Sequence, residues 1–477
     1  MSESKSQSRS ARMLVNEERP FDAEELFFST TDSRGVIRHG NDVFSRVAGI
    51  PPEGIFGKPH KIIRHPDMPR VVFKLFWDYL ERGETIAAYV KNLARDGRYY
   101  WVMAVGMPCE GGYLSVRLKP TGELLPVVRE LYKTLREIEA GIEEDPSQRV
   151  EAMEASAEKL NEALSGLGFD SYDAFMRHAL RHEMEARAET MEKEREDCEV
   201  EQKEQERQEQ TDADQAEVQE DLLIGTRVLA HSIDTRLQTM FDDLKAFRET
   251  GQKLKNTSGG VLKSAETVRV LGMNAAIAVN QMQGRGSTLR VVAESLGGVA
   301  GGIQNVIGGL SAELSSTVLS LDELMFELSA TKLQSEMGIV FLNEMRGKKP
   351  DGRVAESLKI LFNQMSQRVS RVFEHLENTN GQLVTLAKPL AELVRHNRTL
   401  RFVHFTGRKE AASIEGAEGF AVVLDKVPAQ IEKTADRCGF INESVEAIHA
   451  RVSAVLVRQE SIGMDIAKMS DFKAVAA

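Results

Sequence analysis

The chain has 477 residues, 28% of them charged and only 6% aromatic, and a formal net charge of −12; this length exceeds one ordinary domain and the composition favours long helices over a large sheet protein. A net negative chain excludes general nucleic-acid binding, which needs a basic surface. Cys109, Cys198 and Cys438 are too scattered for a disulfide framework or a metal site, no apolar run of about 18 residues marks a transmembrane segment, and the polar N-terminus lacks a signal-peptide core, so a cytoplasmic location is expected.

In chain order, residues 1–20 read as a disordered tail and 21–122 as an α+β domain. Strand-like runs at Leu26–Thr31, Val36–Arg38, Ile86–Asn92, Tyr99–Met107 and Gly112–Leu118 are rich in β-branched and aromatic residues and are separated by glycine-bearing turns. Short helical pieces and a longer helix, Met68 to Leu80, lie between the second and third strands. The motifs Asn41-Asp42-Val43-Phe44, Ile63-Arg64-His65-Pro66-Asp67-Met68-Pro69, Val90-Lys91-Asn92 and Tyr100-Trp101-Val102 resemble the PAS sensor domain of the bacterial aerotaxis receptor family. The resemblance implies non-covalently bound FAD and a report of redox or oxygen status.

The residue types suit such a ligand. An isoalloxazine needs a flat apolar slot with a few edge hydrogen bonds. Trp77 and Trp101 are candidate walls, and Asn92 offers a donor and an acceptor for the pyrimidine edge. Arg64 and His65 can meet an anionic group, with Asp67 orienting one of them. Asn41 completes the candidate set. The same residues have plainer readings: Asp67 as N-cap of the helix after Pro69, Trp77 as core beside Phe73 and Phe76, Asn41 as a helix start. Where flavin-binding relatives carry an aromatic after the Gly83-Glu84 pair, this chain has Thr85-Ile86. Haem held by His60 or His65 is the rival cofactor, and an empty domain the third possibility.

Residues 123–182 read as a helical connector. Leu124, Val127, Leu131, Leu135 and Ile138 line one face of its first helix, and Ser171 is a candidate N-cap for its third. Residues 183–221, dense in Glu, Lys, Arg and Gln, read as a solvated charged linker without a means of burying its acids.

Beyond residue 222 the sequence is heptad-periodic. Ile233, Met240, Phe247, Leu254, Val261 and Val268 recur every seven residues, the signature of supercoiled helices. One hairpin is expected over 222–346 and a second over 353–470, with a kink at Pro389. Together they predict long antiparallel hairpins forming a coiled-coil four-helix bundle within one chain. Asn274-Ala275-Ala276-Ile277, Gly284-Arg285-Gly286 and Val291-Val292-Ala293-Glu294, with a second fragment at Glu410-Ala411-Ala412 and Gly419–Val423, resemble the signalling tip of methyl-accepting chemotaxis proteins. The resemblance implies docking of the kinase CheA and the adaptor CheW, with Asn274, Arg285, Glu294 and Glu410 at the tips. Ala278 and Asn280-Gln281 depart from the family pattern there. A homodimer through the PAS domain or connector helices is a further possibility. No nucleophile–base pair, phosphate loop or metal cluster stands out, so the reading is a sensory transducer rather than an enzyme, with a non-sensing scaffold as the alternative.

Overall fold

The structure, a computed structural model, describes residues 14–143, 145–205, 217–282, 286–344 and 352–470. They fall into two compact units, the first drawn from Met1–Gln238, Met325–Ser370 and Ser461–Ala477, the second from Thr239–Leu324 and Arg371–Glu460.

In the first unit, β1 (Phe27–Asp32) and β2 (Ile37–Gly40) form a hairpin, followed by α1 (Asp42–Ala48), α2 (Pro52–Ile55), a 3-10 turn at His60–Ile63 and α3 (Arg70–Glu81). Then β3 (Ile86–Leu93), β4 (Tyr99–Cys109) and β5 (Gly112–Leu118) form a meander. The five strands make one antiparallel sheet in the order β2-β1-β5-β4-β3. β5 closes against β1, with Ser29 opposite Ser115 and Phe27 opposite Arg117. Period-two alternation sorts the side chains. Ser29, Ala88, Asn92, Ala104, Gly106 and Arg117 face one way, into a cavity roofed by α3. Phe28, Tyr89, Trp101 and Val116 occupy the alternate positions.

The roof helix shows how the connector braces this domain. Pro69 caps α3 without a side-chain hydrogen bond, so the free N–H groups of its first turn need another acceptor. Glu139, fully buried on α4 (Leu124–Ile142), supplies it, accepting from Arg70 N at 2.8 Å and Val71 N at 3.0 Å. The N-cap reading of Asp67 is therefore corrected. Its exposed carboxylate pairs with Lys91 Nζ at 2.7 Å, two residues before the cap.

α5 (Arg149–Gly166) packs on α4, and α6 (Tyr172–Gln205) packs on β3. Ser171 Oγ accepts from Ala174 N at 3.1 Å, as its N-cap assignment requires. The expectation that the acids of residues 183–221 are solvated is overturned at Glu183. This side chain is fully buried and accepts from Tyr89 Oη at 2.7 Å, Thr121 N at 2.7 Å and Gly122 N at 2.8 Å. The connector helix thus continues through the position where the charged linker was placed. Residues 206–216 of that linker lie outside the described residues.

The first unit also contains the base of the long helices. Phe341 on α8 (Ser287–Glu344) meets Phe28 edge-to-face at 4.8 Å, and Ser357 on α9 (Gly352–Thr385) lies 2.6 Å from His39 Nδ1. Buried Arg368 bonds both Glu327 and Thr85 Oγ1. These contacts fasten the outer face and edge of the sheet to the bundle base.

The second unit is a four-helix bundle within one chain. It is built from α7 (Glu217–Asn280), α8, the end of α9 with α10 (Ala387–Ala412), and α11 (Glu418–Leu424) with α12 (Val427–Leu456). α13 (Gln459–Ser470) follows in the chain. The heptad positions Met240, Phe247, Leu254, Val261 and Val268 are all buried. Small residues bring α7 and α8 close: a Cβ added at Gly272 would lie 3.1 Å from Gly297 N. Gly302 lies under the His396 ring of α10, and Arg437 of α12 donates to Gly260 O and Ser264 Oγ of α7. Where a kink is expected at Pro389, the helix is interrupted at Leu386, between α9 and α10, because Pro389 has no N–H for the carbonyl four residues earlier.

Candidate ligand cavity and bundle tip

The space between the sheet and α3 has a volume of about 680 Å³, within the range of small-molecule sites. Its roof is the apolar stripe of α3. Phe73, Phe76, Trp77 and Leu80 sit at i, i+3, i+4 and i+7 and all line the cavity. Trp77 meets Tyr113 of β5 edge-to-face at 5.4 Å. The floor is small because Ala88, Ala104 and Gly106 leave it so. A Cβ at Gly106 would approach Phe76 Cζ to 2.5 Å.

The charge distribution is one-sided. The lining includes Arg34, Arg64, Arg70, Arg117 and Arg149, with Lys61 and Lys74, and no aspartate or glutamate. Arg117 is buried, 4% exposed. Its Nη2 donates to Ser29 Oγ and to His60 Nε2, each at 2.6 Å, while Nη1 is buried without a hydrogen-bond partner among the described residues. Burial pulls the guanidinium down to about 10; it remains a cation at neutral pH. A buried cation without a counter-ion is costly, and an anionic ligand relieves it.

His60 Nε2 must accept from this guanidinium, which can only donate. Burial, reinforced by Arg117, lowers His60 to about 3. That lone pair is therefore occupied, which counts against His60 as an axial haem ligand. His65 is likewise held neutral, lowered to about 4 by burial and by Lys91. In the unfolded chain both titrate near 6.5. Between those values the unfolded state binds protons that the native state does not, so stability falls as pH drops below about 6.5. The expected slope is up to about 1.4 kcal/mol per pH unit for each histidine. Urea midpoints between pH 7 and 4.5 check this, and His60→Asn should flatten the decline.

Of the residues singled out in the sequence, Arg64, Trp77 and Asn92 line the cavity. Arg64 is stacked on Phe73 at 4.1 Å and donates to Met68 O. Asn41, His65, Asp67 and Trp101 are not in the lining. Asn41 ties α1 to β1: its Oδ1 accepts from Phe28 N at 3.0 Å and Phe44 N at 3.3 Å, and its Nδ2 donates to Leu26 O at 2.9 Å. His65 is buried against Tyr99, where its Nδ1 accepts from Asp67 N at 3.1 Å. Trp101 pairs across the ladder with Lys91 rather than Asn92. The alternation that turns Asn92 inward turns Trp101 outward, onto Tyr132 of α4 at 6.2 Å. Arg117, Ser29 and Phe76 are lining residues the motifs did not flag.

At the bundle tip, Asn274 and Glu294 are exposed and Glu410 is half-buried. Arg285 lies outside the described residues. Beneath them Ala275, Val279, Leu289 and Ala293 are buried. Among the described residues no cluster of His, Cys, Asp and Glu is arranged to hold a metal, and no helix is long and apolar enough to cross a membrane.

Residues 37–112 match the PAS fold family. The chain is 38% identical over 127 residues to the aerotaxis receptor of Escherichia coli, covering 26% of this chain and 25% of that protein. It is 30% identical over 99 residues to the biofilm dispersion protein BdlA of Pseudomonas aeruginosa, covering 20% and 22%. The chain thus spans about a quarter of the length of these curated relatives. Among solved structures, a PAS domain from Colwellia psychrerythraea is 18% identical, covering 20% of this chain and 85% of that one with a TM-score of 0.18. A light-oxygen-voltage domain studied with a flavin analogue is 18% identical, covering 23% and 86% with a TM-score of 0.20.

Proposed function

We propose that this chain, which carries a PAS domain like that of the aerotaxis receptor, is a sensory transducer. Its cavity holds FAD, and the redox state of that ligand is relayed to the helical bundle. The observation that carries the reading is the acid-free, cation-rich lining around an apolar slot, which suits a planar ring joined to a diphosphate. When bound, the flavin supplies reversible electron uptake. The chain's own residues do the rest. Phe73 and Trp77 of the roof cover one face of a flat ring and the small floor residues Ala88 and Ala104 leave room for the other, Asn92 addresses its polar edge, and Arg117 places a fixed positive charge at the cavity floor. A charge change beside Arg117 alters a network that includes Ser29 on β1. β1 also carries Phe28, which meets Phe341 of the bundle base. Sheet repacking thus has a short physical path to the helices, provided that the helices have two closely balanced packings.

CheA and CheW are the proposed partners, with Asn274 and Glu294 exposed for contact. Thermal unfolding of the full chain with and without FAD tests the ligand assignment. Excess FAD is expected to raise Tm through binding to the native state. Gly106→Leu, which places a side chain against Phe76, should unfold cooperatively and show no FAD-dependent rise. An unchanged Tm in the unmodified chain would refute the assignment.

A further inference from the structure

Two lining residues, Arg149 and Met153, lie outside the sheet domain, on connector helix α5. Arg149 is held in place by Glu143 at the end of α4, whose Oε1 accepts from Arg149 Nε at 2.8 Å. The same carboxylate takes Arg70 of α3 in a two-point contact, Nε to Oε2 and Nη2 to Oε1, both at 2.8 Å. One carboxylate thus fixes two guanidiniums and leaves a net positive charge, which Arg64 increases. Hydrogen bonds from Arg70 and then Arg149 lower Glu143 from the ordinary carboxylate value, which favours the ionised form that holds the two guanidiniums. The cavity behind it contains Nη1 of buried Arg117, which has no hydrogen-bond partner among the described residues. A ligand anionic at its outer end meets matching charge at the mouth.

We propose that Arg149 of α5 and Arg70 of α3 form an anion clamp for the diphosphate of the bound flavin nucleotide, so that the connector helices complete the binding site. The proposal rests on the FAD reading above. It adds a ligand contact from outside the domain and a second place where occupancy is felt. A diphosphate that engages Arg149 ties α3, α4 and α5 together through Glu143.

The test measures binding of FAD and of riboflavin, which lacks phosphate, to the full-length protein, Arg149→Ala and Arg149→Lys by quenching of flavin fluorescence. Arg149 is half exposed, so neither variant removes core packing. Removing one charge-assisted contact should weaken FAD by about tenfold in Arg149→Ala, with Arg149→Lys intermediate and riboflavin unchanged. An equal affinity for FAD across the three proteins, or a parallel loss of FAD and riboflavin, would overturn the clamp while leaving the flavin site standing. Failure of the unmodified protein to bind either flavin would overturn both.

Discussion

Replacing Arg117 with methionine is expected to move the reduction potential of the flavin proposed for the cavity to more negative values by on the order of 100 mV. The guanidinium is buried, faces the cavity and has no carboxylate beside it in the lining. It therefore favours whichever redox state of the ligand carries more negative charge. One unit charge across about 8 Å at an effective dielectric of about 20 contributes about 2 kcal/mol. For a one-electron step this corresponds to on the order of 100 mV. Methionine keeps most of the packing over Phe44, whose ring lies 5.2 Å from the guanidinium carbon, and removes the charge. Arg117→Lys keeps the charge and should recover most of the shift. Potentiometric titration of the two variants decides the matter. Equal potentials in the methionine variant and the unmodified chain would mean that the cavity floor does not set the redox balance.

Glu183→Ala is expected to destabilise the protein by on the order of 4 kcal/mol. The carboxylate is fully buried and receives three donors, Tyr89 Oη, Thr121 N and Gly122 N. Its removal strands all three, and each buried donor left without an acceptor costs about 1–3 kcal/mol. Tyr89 sits in the middle of β3, so the loss weakens the seating of α6 on the sheet. Glu183→Gln keeps one carbonyl oxygen and should cost roughly half as much. Urea unfolding followed by circular dichroism measures both. A Glu183→Ala variant as stable as the parent would show that α6 is not anchored here.

How much of this was legible in the sequence follows from range. The strand texture located all five strands to within a few residues, because alternation and turn glycines are local signals. The heptads did the same for the long helices, and Pro389 marked a break for a local reason. The cavity was only half legible. Arg64 and Asn92 sit in recognisable motifs and Trp77 on an apolar helix stripe, but motif membership does not say which face of a strand a residue takes. Trp101 was assigned a wall position that the pairing with Lys91 denies it. A signal was available: Ala104 and Gly106 mark the small-residue face of β4, and Trp101 is out of phase with them. In β5 the same phase puts Ser115 and Arg117 inward, which identifies Arg117 without a motif. Glu183 had no such signal. An acid in a charge-rich run looks solvated, and only the fold brings the backbone N–H groups of Thr121 and Gly122 to it. Asp67 is the reverse case: its capping role was plausible locally, and Glu139, distant in sequence, took it.

Whether the cavity takes FAD is read from the absorption spectrum of the 477-residue chain, followed by chromatographic identification of whatever denaturation releases. The FAD assignment predicts flavin bands in the visible, bleached by reductant, and release of FAD. A colourless protein that takes up no FAD on reconstitution, or a Soret band in place of the flavin bands, would contradict it.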